Sequence, residues 1–385
     1  MARLTSRLYL DFNSTSPLAE SVMEYLARGD FFWANPSSSH SSGRESRKFV
    51  NSSKEKIKSF FKLPPDFDLF FHSGATEGIN IFVKGFATLN PKSHFFWAAS
   101  DHSAVVNQAN YLKHFECPLS FLPASKEGPI NFSLVDARGP LFLNITWINN
   151  ETGFVVPLNF LKELKNKFQD NIFIHLDCAQ LPFKIEEWNH IPEEVDAATF
   201  SGHKFGAMKG CGFSLFKKKR INLIEALISG GGQENNIRSG TENLMGIASV
   251  LLALEEGVKK FNSKKYHEVI SYRNKIEKIL EEKLGDKIGI VRPKEDHLRA
   301  SNTILVIFKE KKSDEVLIHF DLAGIDVGTG PACASLSLRP SRVLLNMGFS
   351  EREAKGAIRI SFDYFLESAD YLALEEALLK VILKL

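Results

Sequence analysis

The sequence predicts an α/β fold, with a mostly parallel sheet in a large domain and a smaller α+β domain at the C-terminal end. Strand-like and helix-like stretches alternate through the first half of the chain, which is typical of parallel sheets with helices on both faces. Around residues 241–283 the pattern changes to long, charged, helical sequence without proline. The chain has 385 residues, enough for two domains. We predict a large domain at 15–250 and a small domain at 251–385 together with 1–14.

Most predicted strands of the large domain precede a predicted helix. The pairs are Leu69–His72 with Ala75–Thr88, His94–Trp97 with Ser103–Glu116, and Leu141–Leu143 with Leu158–Phe168, and Ile172–Leu176 is a further strand. The small domain is predicted to contain the strand Thr303–Phe308, the helix Ser313–Leu322, the strand Ala357–Phe362 and a terminal helix from about Ser368. Ligands of such sheets bind outside the carboxyl ends of the strands, so we expect the site there.

Composition narrows the range of partners. The net charge of +2 does not indicate nucleic acid or an anionic membrane as a main partner. No apolar segment approaches the roughly 18–20 residues that span a bilayer, and no secretion signal is visible. The four cysteines (Cys117, Cys178, Cys211 and Cys333) form no CxxC pair, which argues against a zinc site or a disulfide framework. We therefore expect reduced thiols and a cytoplasmic protein.

The stretch Ser201-Gly202-His203-Lys204 is the most informative chemical signal. A lysine in such a turn can form a Schiff base with pyridoxal phosphate (PLP). Asp177 follows the apolar run Ile172–Leu176, which is expected to be a buried strand. A buried, unpaired aspartate is costly, so its partner is either the protonated pyridine nitrogen of PLP or an arginine elsewhere in the chain. Such a lysine and aspartate are the two requirements of most PLP enzymes on an α/β scaffold.

A candidate phosphate cradle follows another strand. Ser73-Gly74-Ala75-Thr76-Glu77 opens a helix, where backbone N–H groups and the helix dipole bind phosphate. Gly74 allows close approach, and the Thr76 hydroxyl can add a hydrogen bond. The alternative is an ordinary helix cap. Ser201 and His203 can hydrogen-bond the same phosphate from the turn that carries Lys204.

Three more polar side chains follow predicted strands. His102 could stack on a pyridine ring or move a proton, or it could simply begin a helix. Asn150, in Asn149-Asn150-Glu151-Thr152-Gly153, could bind the phenolic oxygen of the cofactor or the substrate, or it could belong to a turn. Gln180 could reach the same phenolic oxygen.

These motifs, in this order and spacing, resemble the cysteine desulfurases, which are fold-type I, class-V aminotransferase-like PLP enzymes. The resemblance runs from Tyr9-Leu10-Asp11-Phe12-Asn13 to the last helix and includes Arg238-Ser239-Gly240-Thr241. It implies a seven-stranded sheet in the large domain, PLP as cofactor and L-cysteine as substrate. It also implies a homodimer with shared sites, because Thr241 matches a residue that completes the phosphate site of the partner subunit.

The resemblance also implies roles for the cofactor-binding residues. Lys204 is the Schiff-base lysine, Asp177 pairs with the pyridine nitrogen, and His102 stacks on the ring and acts as an acid or base. Gln180 and Asn150 contact the cofactor oxygen and the substrate. The residues implied to hold the phosphate are Gly74, Ala75, Thr76, Ser201 and His203.

Two residues are implied to meet the substrate. Asn35, in Asn35-Pro36-Ser37-Ser38, matches the entrance loop of the family's active site. Arg359, in Ile358-Arg359-Ile360-Ser361, matches the arginine that binds the substrate α-carboxylate. A guanidinium suits that role because it can bind a carboxylate with two parallel hydrogen bonds.

Cys333 is the candidate that selects the reaction, since PLP itself supports many outcomes. It lies in a stretch of glycines and small residues, Gly328-Thr329-Gly330-Pro331-Ala332-Cys333-Ala334-Ser335. The alternative is a buried, inert thiol. In the family, a cysteine here attacks the sulfur of cofactor-bound cysteine, which gives alanine and an enzyme persulfide for transfer to a sulfur acceptor such as the scaffold of iron–sulfur cluster biogenesis.

Some features depart from the family. Pro331 stands where serine is usual, and proline stiffens the backbone. The chain ends at Leu385, whereas many members continue with a tail that docks the scaffold protein, so the identity of the acceptor stays open. Other class-V reactions (selenocysteine lyase, amino-acid lyase or transaminase) are alternatives, and a degenerate homologue that acts only as a binding partner is a further one.

Overall fold

The computed structural model describes residues 7–128, 130–330 and 340–382. Within these ranges the strands are β1 (Leu8–Leu10), β2 (Phe67–His72), β3 (His94–Ala98), β4 (Leu119–Leu122), β5 (Leu141–Thr146), β6 (Ile172–Asp177), β7 (Ala197–Ser201), β8 (Gly212–Lys217), β9 (Ile288–Ile290), β10 (Thr303–Phe308), β11 (Ile325–Thr329) and β12 (Ala357–Ser361). The α-helices are α1 (Glu20–Arg28), α2 (Ser41–Phe60), α3 (Ala75–Leu89), α4 (Ser103–Val106), α5 (Ala109–Lys113), α6 (Leu161–Phe168), α7 (Leu244–Lys260), α8 (Ser263–Leu284), α9 (Ser313–Leu322), α10 (Arg342–Asn346), α11 (Glu351–Lys355) and α12 (Ser368–Ile382).

The described strands form two sheets. The larger has seven strands in the order β2-β8-β7-β6-β5-β3-β4, and β8 runs antiparallel to both of its neighbours while the other pairs are parallel. The smaller has five strands in the order β1-β11-β12-β10-β9. The predicted α/β class with a mostly parallel, seven-stranded sheet is confirmed. The domain boundaries remain a prediction.

The central strands are buried on both faces because helices cover both sides of the large sheet. Consecutive residues of β5, Phe142 and Leu143, pack into two different apolar clusters, as do Phe173 and Ile174 of β6. This alternation is what a two-residue strand period requires. Because β5, β6 and β7 are parallel neighbours, their carboxyl ends lie side by side at one edge of the sheet.

Three predicted helices are shorter than the sequence suggested, since the helix predicted at Leu158–Phe168 begins at Leu161 and two others are broken. The predicted helix Ser103–Glu116 is two short helices, α4 and α5, with a break at residues 107–108. The long helical stretch at 241–283 is also broken, because the Asn262 side chain accepts a hydrogen bond from the Lys265 backbone N–H (2.9 Å) and so begins α8. No helix in the described ranges is long and apolar enough to cross a membrane.

Candidate active site

The main cavity of the described chain has a volume of about 510 Å³ and lies where the large sheet meets the small one. Its wall combines turns that follow β2, β3, β5, β6 and β7 with the segment after β1 and a residue of β12. The predicted residues that line it are Gly74, Ala75, Thr76, His102, Asn150, Asp177, Gln180, Ser201, His203, Lys204 and Arg359. Ligand binding at the carboxyl ends of strands predicts this location.

The candidate phosphate cradle is the start of α3. Its N-cap, Gly74, makes no side-chain cap, but the Glu77 carboxylate accepts a hydrogen bond from the Ser73 backbone N–H (2.7 Å) and another from Arg238 Nε (2.7 Å). The Glu77 carboxylate thus caps the start of the helix, as the alternative expected, and this contact does not exclude a ligand. A Cβ added at Gly74 would lie 3.7 Å from Ser201 Oγ, which shows how close the two turns come. A 15-residue helix directs its N-terminal dipole at this wall.

His102 both begins a helix and lines the cavity. Its Nδ1 accepts a hydrogen bond from the Ala104 backbone N–H (3.1 Å), so in the neutral imidazole the proton sits on Nε2. Burial lowers the pKa of His102, and the carboxylate of Asp177 partly opposes that shift. The cap therefore leaves a neutral ring with an Nε2 proton available for transfer.

Asp177 ends β6 with a buried carboxyl group. One carboxylate oxygen accepts a hydrogen bond from the Ala179 backbone N–H (3.0 Å), and burial raises the pKa. Among the described residues, no arginine forms an ion pair with it, so the arginine alternative finds no support. A carboxylate in this environment is suited to a cationic N–H group of a ligand.

Lys204 reaches the cavity from the 3₁₀ turn after β7. Its Nζ donates to the carbonyl oxygens of Asn13 (2.6 Å) and Ser14 (2.7 Å). The neighbouring His203 shares a hydrogen bond with the Thr15 hydroxyl (3.1 Å), and burial lowers the pKa of His203 to about 4. The segment after β1 thus holds the turn that presents the amine.

Arg359 is almost fully buried, with 1% of its surface exposed, yet it lines the cavity. Its Nη2 donates to an Asp11 carboxylate oxygen (2.6 Å) and to Ser14 Oγ (2.7 Å), and its Nη1 donates to the Asn150 carbonyl oxygen (2.9 Å). Its Nε has no partner among the described residues. These contacts hold the guanidinium in one orientation at the cavity wall.

Asn150 sits in a turn made by its neighbour. The Asn149 side chain accepts hydrogen bonds from the N–H groups of Glu151 (2.9 Å) and Thr152 (3.0 Å), and Gly153 adopts a positive φ of 72°. The turn alternative therefore describes Asn149. Asn150 itself lines the cavity, and its backbone carbonyl oxygen accepts a hydrogen bond from Arg359.

Two predicted site residues are not in this wall, and a third lies outside the described residues. Asn35 is exposed and its side chain accepts a hydrogen bond from the Ser37 N–H (2.9 Å). Thr241 is also exposed and does not line the cavity of its own chain. Cys333, with Pro331, lies outside the described residues. The other three cysteines are buried free thiols.

Several lining residues were missed by sequence reasoning. They include Asn13, Ser14, Glu151 and Arg342. Arg342 bonds the backbone carbonyls of Ala99 and Asp101, and the Glu151 carboxylate accepts a hydrogen bond from the Ser341 hydroxyl (2.5 Å). Asn13 and Glu151 belong to two of the sequence motifs described above, so the sequence did indicate that they could lie at the site.

A buried relay of hydrogen bonds crosses the sheet from the turn at Gly74 to the loop that contains Asp101 and His102. The Gly74 N–H donates to His72 Nδ1 (3.2 Å), so His72 Nε2 carries the proton and donates to Ser214 Oγ (2.8 Å). Ser214 bonds the Thr199 hydroxyl (2.9 Å), which bonds His175 Nε2 (2.8 Å). His175 Nδ1 bonds the Asn144 side-chain oxygen (2.7 Å), and the Asn144 amide nitrogen donates to the Asp101 carboxylate (3.1 Å). The relay thus has six side chains: His72, Ser214, Thr199, His175, Asn144 and Asp101.

In this relay, each group donates its hydrogen to the next group along the path that leads from Gly74 to Asp101. Burial lowers the pKa of His72 to about 4 and that of His175 to about 3, so both rings are neutral at pH 7. Burial also raises the pKa of Asp101 to about 7. The relay ties the cradle at Gly74 to the loop that carries His102.

Comparison with known proteins decides the family. A model of the family described as "Aminotransferase class-V" matches residues 8–374. The chain belongs to the class-V aminotransferase family. Curated relatives in this family include "Cysteine desulfurase IscS" of Dictyoglomus turgidum, 31% identical over 98% of this chain and 95% of the relative, and that of Rickettsia typhi, 31% identical over 95% and 88%.

Two solved structures share the fold over nearly the whole chain. A "NIFS-LIKE PROTEIN" is 27% identical, with a TM-score of 0.86 over 98% of this chain and 100% of its own. "SspA in complex with cysteine" is also 27% identical, with a TM-score of 0.76 over 94% and 100%. Both likenesses cover nearly the whole of this chain.

The cavity suits PLP, on which class-V enzymes depend. Asp177 offers a buried carboxylate oxygen for a pyridine N–H, Lys204 offers an amine, and the N-terminus of α3 offers backbone donors for a phosphate. Among the described residues, no cluster of three His, Cys, Asp or Glu side chains could hold a metal ion.

Proposed function

We propose that this class-V member is a homodimeric, PLP-dependent cysteine desulfurase that converts L-cysteine to L-alanine and carries the sulfur as a persulfide on Cys333. The observation that supports it most strongly is the meeting of Lys204, Asp177 and Arg359 in one cavity, in a chain whose relatives are cysteine desulfurases over nearly its full length. Bound PLP supplies the electron sink that weakens bonds at the substrate α- and β-carbons.

The cofactor-binding roles follow from the cavity. Lys204 would bond the cofactor, and Asp177 would keep its pyridine nitrogen protonated through a buried ion pair. Gln180 and Asn150 would contact the phenolic oxygen and the substrate. The phosphate would lie against residues of the two neighbouring turns, namely Gly74, Ala75, Thr76, Ser201 and His203.

Arg359 would bind the substrate α-carboxylate. Asp11 and Ser14 occupy its Nη2, and Asn150 holds its Nη1, so the guanidinium is oriented before any substrate arrives. His102 would move the proton at its Nε2 to or from the substrate, because its Nδ1 is fixed by the Ala104 N–H.

The sulfur step needs a thiolate at Cys333. Its sulfur attacks the substrate sulfur, so that an S–S bond forms while the substrate C–S bond breaks, and a proton completes the methyl group of alanine. The substrate sulfur thus remains on the enzyme as a persulfide, with no external oxidant or reductant. An acceptor protein of unknown identity, such as one in iron–sulfur cluster biogenesis, would then take the sulfur.

The exposed positions of Asn35 and Thr241 support shared sites in a homodimer. Neither lines the cavity of its own chain, and both lie in exposed segments where a second subunit could reach them. Trp33, two residues before Asn35, has 83% of its surface exposed, which is unusual for a tryptophan and favours burial in an interface. Sedimentation analysis should give twice the mass of the 43.3 kDa chain, and a monomer would contradict the shared site.

The activity is tested with purified protein, PLP and L-cysteine. We expect equal amounts of alanine and sulfide in the presence of a thiol reductant, and the visible absorbance of bound PLP should be lost in the Lys204→Ala variant. Protein that binds no PLP, or that binds it without releasing alanine, would contradict the function. We place this reaction in the cytoplasm, which agrees with the free thiols of the three described cysteines.

A further inference from the structure

Lys184 is a buried lysine beneath the cavity that the proposed mechanism does not use. It follows the turn after β6, and 1% of its surface is exposed. Burying an amine is costly unless its donors are satisfied. Its Nζ donates to Asn13 Oδ1 (3.1 Å) and to Gln180 Oε1, and among the described residues no carboxylate pairs with it. Two amide oxygens are therefore its partners.

These contacts determine which way two amide groups face. An amine offers hydrogens, so the oxygen of each amide must point at Lys184 and the nitrogen must point away. The Asn13 Nδ2 accordingly donates to Thr303 Oγ1 (3.0 Å) and the Asn150 carbonyl (3.3 Å), and the Gln180 Nε2 donates to the Asn13 carbonyl (2.8 Å). Burial lowers the pKa of Lys184 well below its usual range, but a neutral amine still has two hydrogens to donate.

Both amides lie at the site of the reaction. Asn13 and Gln180 line the cavity, and the Asn13 carbonyl oxygen that accepts from Gln180 also accepts from Lys204 Nζ (2.6 Å). Lys184 itself does not line the cavity. An anionic oxygen placed against Gln180 would meet an N–H group, whereas a rotated amide would present it with a carbonyl oxygen.

We propose that Lys184 is a positioning residue of the active site, which holds the oxygens of Asn13 and Gln180 toward itself and so presents the Gln180 N–H group to the cofactor. This inference rests on the proposed function only in taking PLP as the ligand. It assigns a role to a residue that touches neither substrate nor cofactor.

Lys184→Met in the holoenzyme removes the donors and keeps the length of the side chain. Two buried oxygens lose their donor, and an unsatisfied buried acceptor is destabilising. If part of that cost is relieved by rotation of the Gln180 amide, PLP should dissociate about five- to tenfold faster, a change on the order of 1–1.4 kcal/mol. The absorption and circular dichroism bands of the bound cofactor should also shift.

Lys165→Met is the matched control. Lys165 is also largely buried, and its Nζ donates to the Asp196 carboxylate (2.7 Å) at the opposite end of the strands. Removing it should lower the melting temperature but leave the cofactor bands and the dissociation rate unchanged. A purely structural role for Lys184 predicts that Lys184→Met behaves in the same way, and that result would overturn the proposal.

A double-mutant cycle tests whether Lys184 acts through Gln180. We expect Lys184→Met to add less than a twofold change in PLP dissociation in a Gln180→Leu background, because the amide it orients is gone. Independent, multiplying effects would overturn the proposal. Lys184→Gln, which keeps an N–H donor, should restore most of the wild-type bands and covers the case in which the methionine variant does not fold.

The outcomes separate this inference from the function itself. Wild-type protein that binds PLP but makes no alanine would overturn the desulfurase assignment, and the cofactor bands of the Lys184 variants would still be informative. Unchanged bands and an unchanged dissociation rate in both Lys184 variants would overturn the positioning role and leave the desulfurase assignment intact.

Discussion

Replacing His175 by leucine should lower the free energy of unfolding at neutral pH. In acid, the difference in unfolding free energy between the variant and the wild type should be smaller. His175 is completely buried, with its Nδ1 bonded to Asn144 Oδ1 (2.7 Å) and its Nε2 to Thr199 Oγ1 (2.8 Å). In His175→Leu the Asn144 oxygen loses its only described donor, while the Thr199 hydroxyl keeps Ser214. One unsatisfied buried acceptor predicts a loss of about 1–3 kcal/mol at pH 7.5.

The pH dependence follows from the lowered pKa. Because the pKa of His175 is about 3 in the folded protein and about 6.5 in the unfolded chain, the unfolded state alone gains the proton as the pH falls below 7. Wild-type stability thus contains a histidine contribution that is complete above pH 6.5 and is lost on acidification. Between pH 7.5 and 5.5 the loss is about 1.4 kcal/mol, and His175→Leu lacks it.

Urea unfolding of the apoprotein at pH 7.5 and 5.5, at one protein concentration, measures the difference. The exposed His190 provides a control, since His190→Leu should change the unfolding free energy by less than about 0.5 kcal/mol at neutral pH. A gap between wild type and His175→Leu that is the same at both pH values, or a cost below 0.5 kcal/mol at pH 7.5, would refute a neutral, hydrogen-bonded His175.

Three further substitutions test the site. Asp177→Asn should leave the melting temperature of the apoprotein equal or higher, because a desolvated carboxylate is removed, while PLP affinity measured by fluorescence titration falls at least about tenfold; unchanged affinity would contradict the ion pair. Arg359→Lys should raise KM for L-cysteine about tenfold or more with a smaller change in kcat, because lysine lacks the planar fork, and steady-state kinetics with an unchanged KM would exclude the carboxylate role. His102→Asn keeps a capping acceptor for the Ala104 N–H, so its melting temperature should exceed that of His102→Ala. Both variants should lose a factor of about 10²–10⁴ in kcat, and an active asparagine variant would show that His102 only caps the helix.

Motifs at strand ends were predictable because they depend on local order. The carboxyl ends of parallel strands meet at one edge, so residues such as Thr76, His102 and Asp177 had to converge once the strands were assigned. The predicted helix Ser313–Leu322 matches α9 in both bounds. It begins after Lys312 without a side-chain cap, and it ends shortly before Gly324, which has a positive φ of 75°.

What could not be predicted depends on contacts between distant segments. The polar residues of the relay stand singly in apolar strands, and only the register of β5, β6, β7 and β8 brings Asn144, His175, Thr199 and Ser214 into contact. Lys184 was overlooked because lysine is seldom fully buried. The break at Asn262 had a readable signal, an asparagine that caps the following helix.

The most direct test of the central claim is the mass of Cys333 after turnover. Holoenzyme incubated with L-cysteine and no reductant should carry one added sulfur, about 32 Da, on the peptide that contains Cys333, while the alanine released in the first turnover equals the amount of enzyme. In Cys333→Ala no peptide should gain sulfur and alanine release should fall. Unmodified Cys333 in an enzyme that turns over, or full alanine release by Cys333→Ala, would contradict the account.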